Sequence, residues 1–344
     1  MEDSMNLHEN KDLFTAVIRD MAQKTAISEV YIEKDYWLTR SLQRLSQNPN
    51  AEKVVFKGGT ALSKIQLTNR FSEDIDIAVI EADSFSGNQL KMLIKRLAKN
   101  MATDLEERTV EGVTSKGSRF YKAVYLYPNI IGQETKTAVK SGQLLIEINT
   151  FANPYPYHKH QITSFISGYL LTLNRQDLIE KYNLSPFSVN VLDKSRTMLE
   201  KIVSLLRFSF AENPKKELSS KIRHFYDLYY LANDKECAKY IHSVEFQKDL
   251  QDLFAHDQQE FDEPTGWQTK TIQDSPLISD FPNFWNTLQE TYLLELPMLA
   301  FSEIPEEKVI EENFIELMKK TKMNKKTTDN KRFISGGVCP QKLL

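Results

Sequence analysis

Hydrophobic and polar positions change period several times along the chain, and each change marks an element. Over residues 6–47 the apolar positions recur at helical spacing. Leu13, Ala16, Val17 and Met21 form one stripe, and Val30, Tyr31, Tyr36, Trp37, Leu38, Leu42 and Leu45 form a second. The pattern predicts two helices, with Ser28 placed to cap the second. Glu33, Lys34 and Asp35 on that helix are expected to be a solvated face or local ion pairs. Residues 88–107 predict an amphipathic helix: Leu90, Leu93, Ile94, Leu97 and Met101 face inward, and Lys91, Lys95, Arg96 and Lys99 face out. A basic face of this kind is ordinarily solvent surface; a track for an RNA backbone is the alternative. The period shifts to two in RFYKAVYLY (119–127) and QLLIEINTF (143–151), which predict strands. Between them lies a loop carrying Lys136 and Lys140. Residues 152–160 read as a proline-rich loop, 161–173 as extended, 175–182 as a short helix and 186–192 as a strand. A helix follows from Asp193 to about Phe210, then a break at 213–217 and another helix at 220–233. Residues 236–318 are expected to be helical, with a loop at 262–280 and Trp267, Phe284 and Trp285 packed within that half.

The stretch that carries chemistry runs from Phe56 to Val79, FKGGTALSKIQLTNRFSEDIDIAV. An apolar run, Val54 to Phe56, ends at Lys57-Gly58-Gly59, and Thr60 to Leu67 has helical character. Glycines let backbone N–H groups approach a ligand closely, and the positive end of a helix suits phosphate. Asp74-Ile75-Asp76-Ile77 then reads as a strand, on which the two aspartates share one face and the isoleucines the other. Paired carboxylates just after a phosphate-suited turn are what a divalent cation bridging to a triphosphate requires. The spacing is not that of a P-loop, because the glycines are adjacent and none precedes Lys64 at the required distance. On the 143–151 strand, Leu145, Glu147 and Asn149 share one face, and Glu147 sits between Ile146 and Ile148. A carboxylate at such a position needs a partner. If its strand lies beside the Asp74/Asp76 strand it completes a three-carboxylate metal site; an ion pair with a basic residue on a neighbouring strand is the alternative.

KGGTALSK followed by RFSEDIDIAV resembles the signature of the AbiEii/AbiGii toxin family of nucleotidyltransferases, itself similar to the DNA polymerase β superfamily. Gly59-Thr60 stands where that superfamily usually has Gly-Ser. IEKDYWLT resembles the family's N-terminal helix, TMLEKIVSLLRFSF its third motif and RHFYDLYYL its fourth, so the resemblance spans roughly residues 31–232. It implies a mixed α/β nucleotidyltransferase core with N-terminal helices and a helical C-terminal half. The expected division is residues 1–192, residues 193–318 completing the nucleotide site, and a disordered basic tail over 319–344. It also implies NTP and magnesium. Asp74, Asp76 and Glu147 would hold two Mg²⁺ about 3.5–4 Å apart. Lys57, Gly58, Gly59, Thr60, Lys64, Arg70, Ser72 and Thr197 would bind the nucleotide, and Lys201 would contact the triphosphate. Asp227 would accept the acceptor's hydroxyl proton or orient Lys201, with an Arg223–Asp227 helix pair as the plainer alternative. The family implies a toxin with a cognate antitoxin, transferring a nucleoside monophosphate to a hydroxyl acceptor, RNA (tRNA) first. A protein or small-molecule hydroxyl, or a binding module without turnover, are the other expectations.

Composition narrows this little. The net charge of -3 over 344 residues gives no global basic signal, so a nucleic-acid partner would need a local patch. Two cysteines, Cys237 and Cys339, fit a reducing cytoplasm and exclude a disulfide framework. The charged N-terminus is unlike a secretory signal, and no run of about 18 apolar residues predicts a membrane span. His158 and His160 lack nearby carboxylate or cysteine at ligand spacing and read as exposed or RNA-adjacent.

Overall fold

A computed structural model describes residues 5–132 and 140–321. The strands are β1 Val54–Lys57, β2 Asp74–Val79, β3 Glu106–Arg108, β4 Ser115–Lys116, β5 Phe120–Leu126, β6 Gln143–Asn149, β7 Tyr157–Ile162 and β8 Phe187–Leu192. They form one mixed sheet in the order β3-β5-β6-β2-β1-β8-β7, with β4 also paired to β5. The central strands β1 and β2 are antiparallel, whereas β2 pairs with β6, and β1 with β8, in parallel.

Helices α1 Lys11–Thr25, α2 Glu29–Ser46, α3 Gly58–Lys64, α4 Gly87–Met101, α5 Phe165–Thr172 and α6 Gln176–Lys181 belong to the sheet half. The other half holds α7 Lys194–Phe208, α8 Pro214–Ser219, α9 Ile222–Asn233, α10 Lys235–Ile241, α11 Val244–Glu260, α12 Pro276–Ser279, α13 Phe281–Leu299 and α14 Glu307–Lys320. Two hydrophobic clusters match these groups. Ile75, Ile77, Ile146 and Ile148 bury one sheet face against Trp37, Leu38, Ile94 and Leu97 of α2 and α4. Met198, Ile202, Leu205, Phe225, Trp267 and Trp285 anchor the second cluster, which Leu62 of α3 joins from the sheet half.

Several elements differ from the pattern-based expectation, each for a local reason. Residues 157–162 are not loop: they pair along their length with β8, which supplies partners that sequence periodicity cannot reveal. The extended segment expected over 161–173 is mostly α5, started by Ser164, whose hydroxyl accepts from Ser167 N. The break at 213–217 contains α8, with Asn213 as its cap and Pro214 in its first turn. α4 stops at Met101, and residues 106–108 become the edge strand β3. α14 continues through Lys319 and Lys320, so the expected tail starts later; residues 322–344, Cys339 among them, lie outside the described residues, as does Lys136. Among the described residues no helix is long and apolar enough to cross a membrane.

The largest correction concerns α2. Glu33, Lys34 and Asp35 are buried, not solvated. α2 runs beneath the sheet with α1, α4 and α5 around it, so even its polar positions are enclosed. Each acquires a partner from elsewhere in the chain. Lys34 Nζ lies 2.7 Å from Glu73, Asp35 pairs with Lys64 at 2.5 Å, and Glu33 accepts a hydrogen bond from Ile130 N at 2.8 Å.

Candidate active site

The other sheet face looks toward the helical half, and a cleft of about 270 Å³ lies between them. Strand register sets its floor, which Asp76 borders; Asp74 and Glu147 lie beside Asp76 on the same sheet face but do not themselves line the cleft. Parallel pairing places Asp76 opposite Glu147, and Asp74 lies two residues back on the same face as Asp76. Glu147 therefore stands beside the aspartate strand, as the three-carboxylate expectation needs. The alternative is realised at the same time: Lys122, opposite Glu147 on β5, places its Nζ 2.6 Å from Oε1.

The two aspartates are treated differently. Among the described residues neither side chain makes a hydrogen bond or ion pair, although both are half-buried. Burial, then Glu73 and Glu147, push the Asp74 carboxyl up to about 6. Burial, then Glu147 and Asp74, push that of Asp76 up to about 7. Repulsion between half-buried carboxylates, offset only in part by Lys34 and Lys122 at Asp74 and by Lys57 and Lys201 at Asp76, is what a bound cation would remove, so the donor set fits a hard divalent ion. Among the described residues no three His, Cys, Asp or Glu side chains stand arranged to hold a metal ion, and Glu147 would have to loosen its hold on Lys122 to join Asp74 and Asp76 in doing so.

The glycine turn fits tightly over this floor. Gly58 has φ +79°, and a Cβ there would lie 2.3 Å from Asp76 Oδ2. A side chain at Gly59 would meet the Arg70 guanidinium at 2.6 Å. Glycine is thus required twice, once for conformation and once for space. α3 starts at Gly58 itself, and both glycines border the cleft. The Thr60 hydroxyl is already used: it lies 2.9 Å from Ser72 Oγ and bonds the Asp74 carbonyl at 2.5 Å. Thr60 and Ser72 thereby tie the turn to β2, and neither borders the cleft.

α7 forms the opposite wall. Asp193 caps it, accepting from Ser195 N at 2.8 Å, and its inner stripe presents Arg196, Thr197, Glu200, Lys201, Ser204 and Arg207 to the cleft. Lys57 reaches across to Glu200 at 2.7 Å. Lys201 is held from behind by Asp227 at 2.8 Å. Arg70 grips the same carboxylate with two bonds of 2.7 Å. The segment bearing Arg70 is pinned by Phe71 N to Leu299 O and Phe301 N to Asn69 O, both 2.8 Å.

These contacts bear on four expectations. Asp227 is fully buried; burial opposes its charge, but Arg70 and Lys201 outweigh that and hold its carboxyl well below the usual range. So acidic and enclosed a carboxylate is poorly suited to take a substrate proton, and the contacts it makes are with Lys201 and Arg70. Arg223 does not pair with it and lies 3.9 Å from Glu295. Arg70 is committed to Asp227 and does not border the cleft. Lys64 does not reach phosphate either: its ammonium is buried among Asp35, Thr39 and the Thr163 carbonyl on the far side of the sheet.

Sequence reasoning missed other cleft residues. Arg196 and Arg207 fall on the stripe of Thr197, Lys201 and Ser204 at helical spacing, a signal present in the sequence. Each carries a buried Nε without a hydrogen-bond partner among the described residues. Arg207 lies over the Phe261 ring at 4.0 Å, and Phe261 meets Phe151 edge-on at 5.3 Å. His224 borders the cleft as a neutral imidazole, its pKa lowered by burial and then by Lys201. His256, Asp257 and Phe261 come from α11 and its end, which no local pattern links to β2.

Comparison with known proteins agrees with this architecture. A family model described as nucleotidyl transferase AbiEii toxin, type IV TA system, matches residues 40–313, starting just after the IEKDYWLT motif and running about eighty residues past the last one at 232. No curated protein sequence matches the chain. Among solved structures, a candidate nucleotidyltransferase from H. pylori is 15% identical at a TM-score of 0.37, covering 87% of this chain and 100% of its own. JHP933 from Helicobacter pylori is 15% identical at a TM-score of 0.39, covering 86% and 95%. Those two likenesses are too distant to inform the site. The family match, over most of the chain and across both walls of the cleft, is decisive: this protein belongs to the AbiEii family of nucleotidyltransferase toxins of type IV toxin–antitoxin systems.

Proposed function

We propose that the cleft binds an NTP with divalent cations and transfers its nucleoside monophosphate to a hydroxyl of RNA, with a tRNA acceptor end as the first candidate. The observation that carries this is the register that sets Glu147 beside Asp76 under a glycine turn, with both aspartates left without protein partners. Asp74, Asp76 and Glu147 would hold magnesium, most simply two ions. Bound there, it would offset phosphate charge and acidify the acceptor hydroxyl. The chain's own residues do the remainder. Gly58 and Gly59 offer backbone N–H groups to the phosphates. Lys201, aimed by Asp227 and Arg70, offsets charge as it builds on the leaving pyrophosphate, and Arg196 and Arg207 add guanidinium donors on the same wall. Thr197 borders the nucleotide, while Thr60 and Ser72 hold the turn in place.

As a toxin of this family, the protein would act in the cytoplasm and be restrained by an antitoxin, with phage defence as a setting. Incubation with each labelled NTP, Mg²⁺ and total tRNA tests the assignment. Label on tRNA that depends on Asp76 is the expected result. Label on protein or on a small molecule would overturn the RNA acceptor, and no transfer with any NTP would overturn turnover itself.

A further inference from the structure

Four charged residues stand in one row across the cleft face of the sheet: Lys57 on β1, Asp76 on β2, Glu147 on β6 and Lys122 on β5. Cations occupy the two ends and anions the middle. Lys57 leaves the row to meet Glu200 on α7. Lys122 turns inward and engages Glu147 at 2.6 Å. One candidate metal ligand is thus occupied by a protein cation, and the two aspartates are not. Packing does not force this choice: the side chains are 28% and 20% exposed, so either could be solvated instead. The Lys122 charge also reaches Asp74. A second cation near Glu147, Lys221, lies over the Phe208 ring at 4.9 Å.

Antiparallel register ties Lys122 to its place. It can release Glu147, but its ammonium stays within a side chain's reach. Any cation recruited by Glu147 must therefore displace an ammonium and tolerate its charge nearby. A free divalent ion has only the carboxylates to gain, whereas one arriving with an NTP brings phosphate charge that Lys122 can face instead.

We propose that Lys122 is a built-in counter-ion that competes with divalent cations for Glu147, keeping the cleft's affinity for free cation low until a nucleotide delivers it. This rests on the metal assignment above. The test is direct Mn²⁺ binding, by calorimetry and by the loss of the free-ion electron paramagnetic resonance signal, without nucleotide. K122M should tighten binding roughly fivefold, the scale of one half-exposed charge contact. K122R should stay near wild type. In an E147Q background K122M should gain nothing, because the contested ligand is gone. Unchanged or weaker binding by K122M overturns the proposal. An equal gain in the E147Q background overturns it too, since that would be a distant charge effect and not competition for Glu147. D76N separates the two layers: if it binds Mn²⁺ as wild type does, the metal assignment falls and the Lys122 proposal with it. Melting curves confirm that each variant is folded.

Discussion

The two faces of the central sheet both carry enclosed charge and, Glu33 on α2 apart, treat it in opposite ways. On the α2 face, Lys64 meets Asp35, Lys34 meets Glu73, and Thr39 and the Thr163 carbonyl complete the Lys64 shell. On the cleft face, Asp74 and Asp76 have no such partners among the described residues, and their carboxyls rise toward neutrality. Residue type does not separate the two: both faces use lysines and carboxylates from the same short stretch. Partner accounting does. A saturated buried charge serves the fold, whereas an unsaturated one in a cleft waits for a ligand. Lys64 and Asp76, only twelve positions apart in sequence, sit on opposite sides of that line.

The contrast can be broken most sharply at Asp76. D76N should lower nucleotide transfer by about a thousandfold or more while leaving the melting temperature unchanged or higher, since it removes repulsion and not core volume. Wild-type turnover in a labelled-NTP assay would remove the distinction between the faces. Next comes Asp227, which bridges the two regimes: buried and saturated, yet positioning a cleft lysine. D227N strands two buried cations and should cost about 3–5 kcal/mol in denaturant unfolding. Its sign with pH is set by the lowered carboxyl. The stabilisation is fully present above the ordinary value of 3.8 and fades as pH falls below it, so the gap between wild type and variant should narrow only in acid. On the α2 face, D35N should destabilise by about 3 kcal/mol through the abandoned Lys64, yet leave transfer per folded molecule unaltered.

The smallest effect belongs to Glu33, whose second oxygen is buried without a partner and whose carboxyl burial pushes up to about 7. A raised acid contributes stability below its ordinary 4.5 and loses it as pH rises through about 7. E33Q should abolish that decline and exceed wild type by about 1–3 kcal/mol at pH 8 in denaturant unfolding. Equal pH profiles would show that Glu33 is better satisfied than its burial indicates.

Much of the site was legible because its chemistry is local. Gly58, Gly59, Asp74 and Asp76 lie within one strand–turn–helix–strand unit, and alternation alone put both aspartates on one face. Lys201 is legible through the resemblance of the α7 segment to the family's third motif. Lys64 and Arg70 sit in the same motif yet turn to Asp35 and Asp227, and the Thr60 and Ser72 hydroxyls to each other, because sequence shows that a polar group is near but not which way it turns. Asp227 is legible in its motif, but its two cations come from distant segments, and only packing shows that its carboxylate is saturated by them. β7 and α5 were misread for a related reason: the strand owes its form to pairing with β8 and the helix to a serine cap, and neither raises a strong periodic signal.

Sequence by itself determined the alternating strands, the apolar helix stripes, the paired glycines of the turn and the family to which the chain belongs. Tertiary structure alone decided register, and with it the meeting of Glu147 with Asp76 on one side and Lys122 on the other. It also decided which charges are saturated. The reason is that a side chain's periodicity is fixed by its own backbone, whereas its electrostatic partners are fixed by chain segments tens to hundreds of residues away, which only packing brings within reach.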